Sequence, residues 1–518
     1  MEAWLLESAE CRGHDPSAAA GRTIRALVLA GEARTTLARA ACTVAYLAAM
    51  VSSRPARRRR ELNRPLALLV AGTFFMENLD GTIIATAAPA MAADLGVGAV
   101  DINVAITAYL VTIAVGIPVS GWLTDRFGGR RILLWAIATF TVASVLCAVS
   151  GSLGMLVVAR VLQGIGGAMM VPVGRLVVLR ATAKRDLLDA TAYLTWPALL
   201  APVLAPALGG WIVSVASWPW IFLINLPLGV VAFVVAGRIV PQQKALVGPL
   251  DWVGFLLCAS FLLCLLVGVE LLGASSRVGP TGAVTVTAAG LVLAVVSWWW
   301  LRRSAHPLLR FGALRKPSFR AGNVGGSVYR MVISAAPFLL PLMFQVGFGW
   351  SPVLTGGLVL LLFVGNLAIK PATSPLIRRL GFRAVLIVSV GGGAIIFGLI
   401  AALSAASPLP FVIALLLLSG TFRSIGFSAY NSLQFADIDP AQMSDANTLS
   451  STLQQVADAL GIALGAVVVR LADRHFGPSA LPAWPYTVAF IVLGMLMVWP
   501  LIGALRLHRS AGDEVAGR

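Results

Sequence analysis

At 518 residues, 58% of them hydrophobic and only 12% charged, the chain is too apolar for a soluble globule, in which about a quarter of residues are charged. The formal net charge of +17 invites a nucleic-acid reading, but Lys and Arg concentrate in short loops between apolar runs, where the cytoplasmic loops of membrane proteins carry them. A polytopic helical membrane protein is the class that remains. Cys11, Cys42, Cys147, Cys258 and Cys264 show no CxxC or CxxxH spacing, and His14, His306, His475 and His508 fall in tails or loops. Neither a metal cluster nor a buried histidine relay is expected.

Residues 1–64 are basic and rich in Ala and Arg, ending in four arginines at 57–60. The apolar patch at 40–51 is too short to span, and the basic cluster follows it, the reverse of a signal peptide. A disordered or loosely helical cytoplasmic tail is expected there.

Fourteen apolar runs follow, at about 66–88, 104–123, 132–149, 155–178, 192–213, 221–240, 253–272, 281–301, 324–346, 354–377, 384–403, 411–435, 449–469 and 486–505. Each is of a length to cross a bilayer as a helix. The first holds Glu77 and Asp80 near its middle, three residues apart and so on one helix face. A charge at that depth costs about 2.5–3.5 kcal/mol on insertion scales, so each acid should face a cavity or a partner. Both are candidates for carrying a proton; the plainer reading is that one pairs with a neighbouring helix.

Basic residues gather after the even-numbered spans: Arg126, Arg130 and Arg131; Arg180, Lys184 and Arg185; Arg238 and Lys244; Arg302 to Arg320; Arg378, Arg379 and Arg383. That alternation places both termini in the cytoplasm and requires an even number of spans. The loop at 124–132 is echoed at 377–385. If spans seven and eight are an insertion, each loop closes the second span of a six-span half. The domain plan is then a tail (1–64), a six-helix bundle (65–245), two inserted helices (246–305), a second bundle (306–508) and a short cytoplasmic tail (509–518). Internal repeats of this kind underlie alternating access in secondary transporters.

The run Gly121-Trp-Leu-Thr-Asp125-Arg126-Phe-Gly128-Gly-Arg130-Arg131 resembles the signature loop of the major facilitator superfamily. Its glycines allow a tight turn, and Asp125 can accept from Arg130 or sit at the amino end of the next helix. Such a latch between helices that must separate suits a two-state gate. Leu79-Asp80-x-Thr82 through Pro89 is similar to the first-span motif of the fourteen-span drug:proton antiporters, with Ala85 where that branch usually has Asn. Arg160-x-x-Gln163-Gly164-x-Gly166-Gly167 resembles the fourth-span motif whose arginine is linked to proton coupling. Ala201 to Pro206-x-x-Gly209-Gly210 resembles the antiporter motif of span five, with Ala201 and Ala205 in place of glycines. The stretches Trp218 to Gly229 and Asp251-Trp252-x-Gly254, and Gln454-Gln455, look like the same branch. The resemblance covers about 66–505. It implies an all-α fold of two six-helix bundles plus two inserted helices, driven by a proton gradient without a cofactor. Proton coupling would fall to Asp80, Glu77 and Arg160.

In the second half the cations Arg330, Lys370 and Arg423 lie within spans, with Asp458 the only acid inside that bundle. Arg330 and Lys370 either face the cavity or snorkel toward the cytoplasmic interface. With Asn78, Tyr193 and Asn431 they make up the candidate substrate cavity. No Walker-type loop or soluble catalytic constellation is present, so an enzyme is not expected. The leading expectation is an exporter of drugs or amphipathic small molecules in the cell membrane, its partners the bilayer and its substrate. An exporter of an anionic metabolite such as an organic acid is the alternative; a transport-dead sensor or scaffold is the second. A periplasmic adaptor is not inferable from the sequence.

Overall fold

The computed structural model describes residues 63–98, 101–242, 244–245, 247–273, 279–476 and 483–516; the expected N-terminal tail lies outside them. No strand occurs among the described residues. The first half comprises α1 (Arg64–Leu95), α2 (Asn103–Phe127), α3 (Gly129–Ala148), α4 (Leu153–Ala181), α5 (Leu187–Val215) and α6 (Asn225–Ile239). Next come α7 (Trp252–Gly273) and α8 (Gly279–Arg303). The second half comprises α9 (Gly326–Leu342), α10 (Pro352–Ala368), α11 (Lys370–Ala401), α12 (Leu409–Leu433), α13 (Met443–Phe476) and α14 (Trp484–Leu496). Among the described residues, twelve helical segments are long and apolar enough to cross a bilayer, while Trp252–Gly268 of α7 and Leu354–Ala368 of α10 are shorter apolar stretches.

Local chemistry sets several boundaries. Asn63 caps α1, its side-chain oxygen accepting from the Leu66 amide at 3.2 Å, and Gly96 ends the helix at φ 65°. The tenth apolar run was expected as one helix to 377. It is interrupted instead at Ile369, two residues before Pro371, whose missing amide hydrogen cannot continue the helical ladder. Helix then resumes from Lys370 and bends at Gly381 (φ 81°, ψ 162°). Gly128 holds nearly the same backbone geometry (φ 94°, ψ 140°) at the turn between α2 and α3. The two echoed loops therefore make the same left-handed turn, which costs an L-residue about 1–2 kcal/mol.

In the first half α1 lies along α5, and α4 packs on both α2 and α3; in the second, α9 lies along α13 and α12 packs on both α10 and α11. The α7–α8 pair packs on itself and leans on α2 and α13 at the seam between the halves. Lipid tails give helices no hydrophobic drive to associate, so close approach of small residues matters. At Gly121 a Cβ would sit 2.1 Å from the Thr448 hydroxyl of α13, so only glycine lets α2 close on α13 here. The end of the molecule carrying the basic loops is packed shut. Leu176, Leu179, Leu187 and Leu188 of α4 and α5 bury into the core of the second half. Arg378 pairs with Asp189 across the seam at 2.9 Å, and the Asn447 amide donates to the Pro172 carbonyl at 3.0 Å.

Candidate functional site

The first-span acids sit where α1 crosses the interior of the first half. Asp80 is buried and meets Arg160 of α4, Nη1 to Oδ2 at 2.5 Å, with both side chains fully inaccessible. The other Asp80 oxygen accepts from Gln163 Nε2 and Asn225 Nδ2, each at 2.8 Å. Ser144 of α3 accepts from the same Gln163 amide at 2.8 Å. Arg160 also donates to Gln163 Oε1 at 2.6 Å and lies 3.9 Å over the Tyr109 ring. Side chains of α4 and α6 thus hold the carboxylate, and Ser144 of α3 braces them. The network is incomplete: Arg160 Nε and Nη2 and Asn225 Oδ1 are buried without a hydrogen-bond partner. Glu77 does not join it. Its Oε2 is buried with no donor in reach, so a proton added there breaks no existing bond, while its backbone carbonyl accepts from Tyr109 at 3.3 Å.

The signature loop is assembled differently from expectation. Asp125 pairs with Arg180 at the end of α4, at 2.7 Å. Arg130 instead donates to the Gly237 carbonyl of α6, and Arg126 and Arg131 are exposed. Arg130 lies past the Gly128 turn, on the first turn of α3, where the nearest acceptor belongs to α6. Arg180 ends the helix packed beside α2. In the echoed loop Arg378 stands where Asp125 does, so the second half carries the opposite charge and pairs with Asp189 of the first. On α5, Gly209 packs against Ile83 and Thr86 of α1, and Gly210 faces open space; of Pro206 only its place in the α5 backbone is described.

The second-half charges separate into two groups. Arg330 Nε is fixed by Asp458 at 2.9 and 3.1 Å, and Ser334 donates to the same carboxylate. Lys370, 4% exposed, donates to Ser428 Oγ at 2.6 Å. Both cations lie against Phe427, Arg330 at 4.7 Å and Lys370 at 5.8 Å from the ring centroid. Arg423 stands apart: it donates to the Ile333 carbonyl at 3.2 Å and lines a separate small pocket inside the second half. Asn78 is tied to its own helix through the Phe74 carbonyl at 2.8 Å, and Tyr193 is exposed. Asn431 is central, its side-chain oxygen accepting from Gln454 and from Arg175 of α4, each at 3.0 Å.

Arg175, Gln163, Asn225 and Ser144 are the residues that sequence reasoning passed over as functional. Gln163 and Asn225 already stood inside quoted motifs, and Arg175 is a cation within an apolar run, which is a functional signal on its own.

A buried, multiply held carboxylate–guanidinium pair in one helical bundle, facing a second bundle across a seam closed at one end, defines a membrane transporter. The Major Facilitator Superfamily family model matches residues 70–462, and the chain belongs to that superfamily. A Haemophilus influenzae protein named as a transport protein, HsrA, is 34% identical over 454 residues, 87% of this chain and 97% of its own. A Salmonella paratyphi A protein named as a multidrug resistance protein, MdtD, is 34% identical over 440 residues, 84% of this chain and 93% of its own. Among solved structures, the human organic anion transporter MFSD10 (TETRAN) superposes with a TM-score of 0.61 at 16% identity, over 85% of this chain and 99% of that one. The proton:xylose symporter XylE bound to 6-bromo-6-deoxy-D-glucose gives 0.59 at 12%, over 88% and 98%. At such identities the two structures speak for the fold alone.

Proposed function

We propose that the protein is a proton-coupled antiporter that exports drugs or other amphipathic small molecules from the cell by alternating access. One observation carries the reading: Asp80 and Arg160 are fully buried and held by Gln163 and Asn225, yet two guanidinium nitrogens lack partners. A buried ion pair is weak evidence for stability, and ionisable residues in a span mark ion pathways by default. Protonating Asp80 releases Arg160, and a released Arg160 is free to re-pair as the halves move. Glu77, with no donor to satisfy, is the second proton carrier.

In this proposal all fourteen helices cross the cell membrane, both termini are cytoplasmic, and the basic loops face the cytoplasm. The closed basic end is then the cytoplasmic gate. Drug export is favoured by the name of the MdtD relative. A single proton supplies about 2.3 kcal/mol per 100 mV, roughly a fiftyfold substrate gradient, with no nucleotide involved. Asp80→Asn should abolish uphill efflux from energised vesicles while gradient-independent exchange persists, and Asp80→Glu should retain part of it. Undiminished uphill efflux in Asp80→Asn removes the residue from the mechanism.

A further inference from the structure

Inside the second half, beside the seam, a cleft is lined by Asn323, Arg330, Phe427, Asn431, Gln434 and Gln454. Its open volume of ≈ 20 Å³ holds about one ordered water. Arg330 lines the cleft, Lys370 lies against the same Phe427 ring, and Arg175 of the first half bonds its Asn431. Arg330 is pinned through Nε by Asp458, and neither of its Nη groups donates to an acceptor among the described residues. Lys370, across the Phe427 ring, has a hydroxyl partner and no carboxylate in ion-pair range among the described residues. Arg175 closes the cleft from the first half, bonded to Asn431 and 5.0 Å from the Phe435 ring, near enough to Arg330 for the two charges to repel. Asp458 is the one acid paired into this group, so two positive charges stand uncompensated.

The backbone is irregular at the same place. A π-helical segment, Ala321–Gly325, precedes α9, and the α10–α11 break falls at Ile369, next to Lys370. Both departures are common where helices build binding sites. An isolated cation at this depth is costly and is retained against a partner.

We propose that this cleft is a head-group site for an anion, so that the exported amphipathic molecule carries a carboxylate, sulfonate or phosphate. The free Nη edge of Arg330 takes the anion in a two-pronged grip, Lys370 adds charge from across Phe427, and Asp458 and Ser334 position Arg330. Phe427 and Tyr430 offer the apolar part an aromatic wall. Arg175 makes the site conditional on closure: when the basic end opens, the Arg175–Asn431 bond parts and one of three cations is withdrawn. The inference rests on the transporter reading above and specifies its substrate class.

The test uses a matched series of dansyl probes: dansylglycine, its neutral amide, and the cationic choline ester. Binding to the purified full chain in phosphatidylcholine nanodiscs is followed by fluorescence. Dansylglycine should bind about tenfold or more tightly than the amide, the scale of one or two charge-assisted bonds. Lys370→Gln should erase most of that preference, and Lys370→Arg should restore it. Arg330→Gln with Asp458→Asn, which removes both partners of that pair together, should erase it as well. Equal affinities for the three probes, or a preference for the cation, overturn the proposal. Replacing a third of the lipid with phosphatidylglycerol should change dansylglycine affinity by less than about twofold. Its loss would assign the charges to a lipid head group and overturn the small-molecule reading. The two proposals fail separately: an absent anion preference beside Asp80-dependent uphill efflux refutes only this one, and the converse refutes only proton coupling.

Discussion

The Asp80 carboxylate is bonded by three side chains from two helices, Arg160 and Gln163 of α4 and Asn225 of α6. Removing one neutral donor therefore weakens the ionised form without abolishing it. Asn225→Ala and Gln163→Ala should each destabilise the fold by about 1–3 kcal/mol, the scale of a buried group left unsatisfied. Under the proposed mechanism they should also move the pH dependence of transport, because they hold the carboxylate proposed to exchange the proton. The check is a pH profile of efflux beside a thermal melt; a lowered melting temperature with an unmoved profile would make both residues structural only. Asp80 was legible in the sequence because charge inside an apolar run demands an explanation, and Arg160 through the fourth-span motif it resembles. Gln163 and Asn225 were not, because a neutral amide in a span is unremarkable until the acid it serves is seen beside it.

At the scale of elements, glycine positions decide how helices meet. Gly121→Val would push a side chain into Thr448 at a site where even a Cβ comes within 2.1 Å of its hydroxyl. The basic end should then be held open, with cysteines placed at 175 and 431 becoming accessible to a polar thiol reagent from the basic-loop side; unchanged protection would show that α2 and α13 need not close. Gly128→Ala and Gly381→Ala should each cost about 1–2 kcal/mol, since both positions require positive φ. The turn at Gly128 was readable from its motif, and Gly381 followed from the echo. The break at Ile369 was not read, although Pro371 stands two residues on, because the hydropathy of the run continues unbroken through both helices.

For the whole molecule, the repeat places pairs of opposite charge in matching loops at the basic end: Arg378–Asp189 latches the two halves across the seam, and Asp125–Arg180 ties α2 to α4 beside it. Partly exposed pairs contribute about 0–1 kcal/mol each. Neutralising one should shift the closed-to-open ratio of the basic end by about fivefold at most, and neutralising both by up to about thirtyfold. Spin-label distances across the seam measure that ratio; no shift in the double variant would leave the loops as topology signals alone. The superfamily was legible from loop charge and motif spacing, which are local. Which cation each acid meets was not: Asp125 has Arg130 five residues away and pairs with Arg180 fifty-five residues away, because the helices, not the loop, set that distance. Proton exchange at Asp80 is the claim on which the rest depends. The most direct measurement is proton release by the purified protein on addition of lipophilic cations, neutral drugs and amphipathic anions in weakly buffered solution. Release on binding of at least one class, absent in Asp80→Asn and partly kept in Asp80→Glu, is the expected result; equal release from wild type and Asp80→Asn would contradict it.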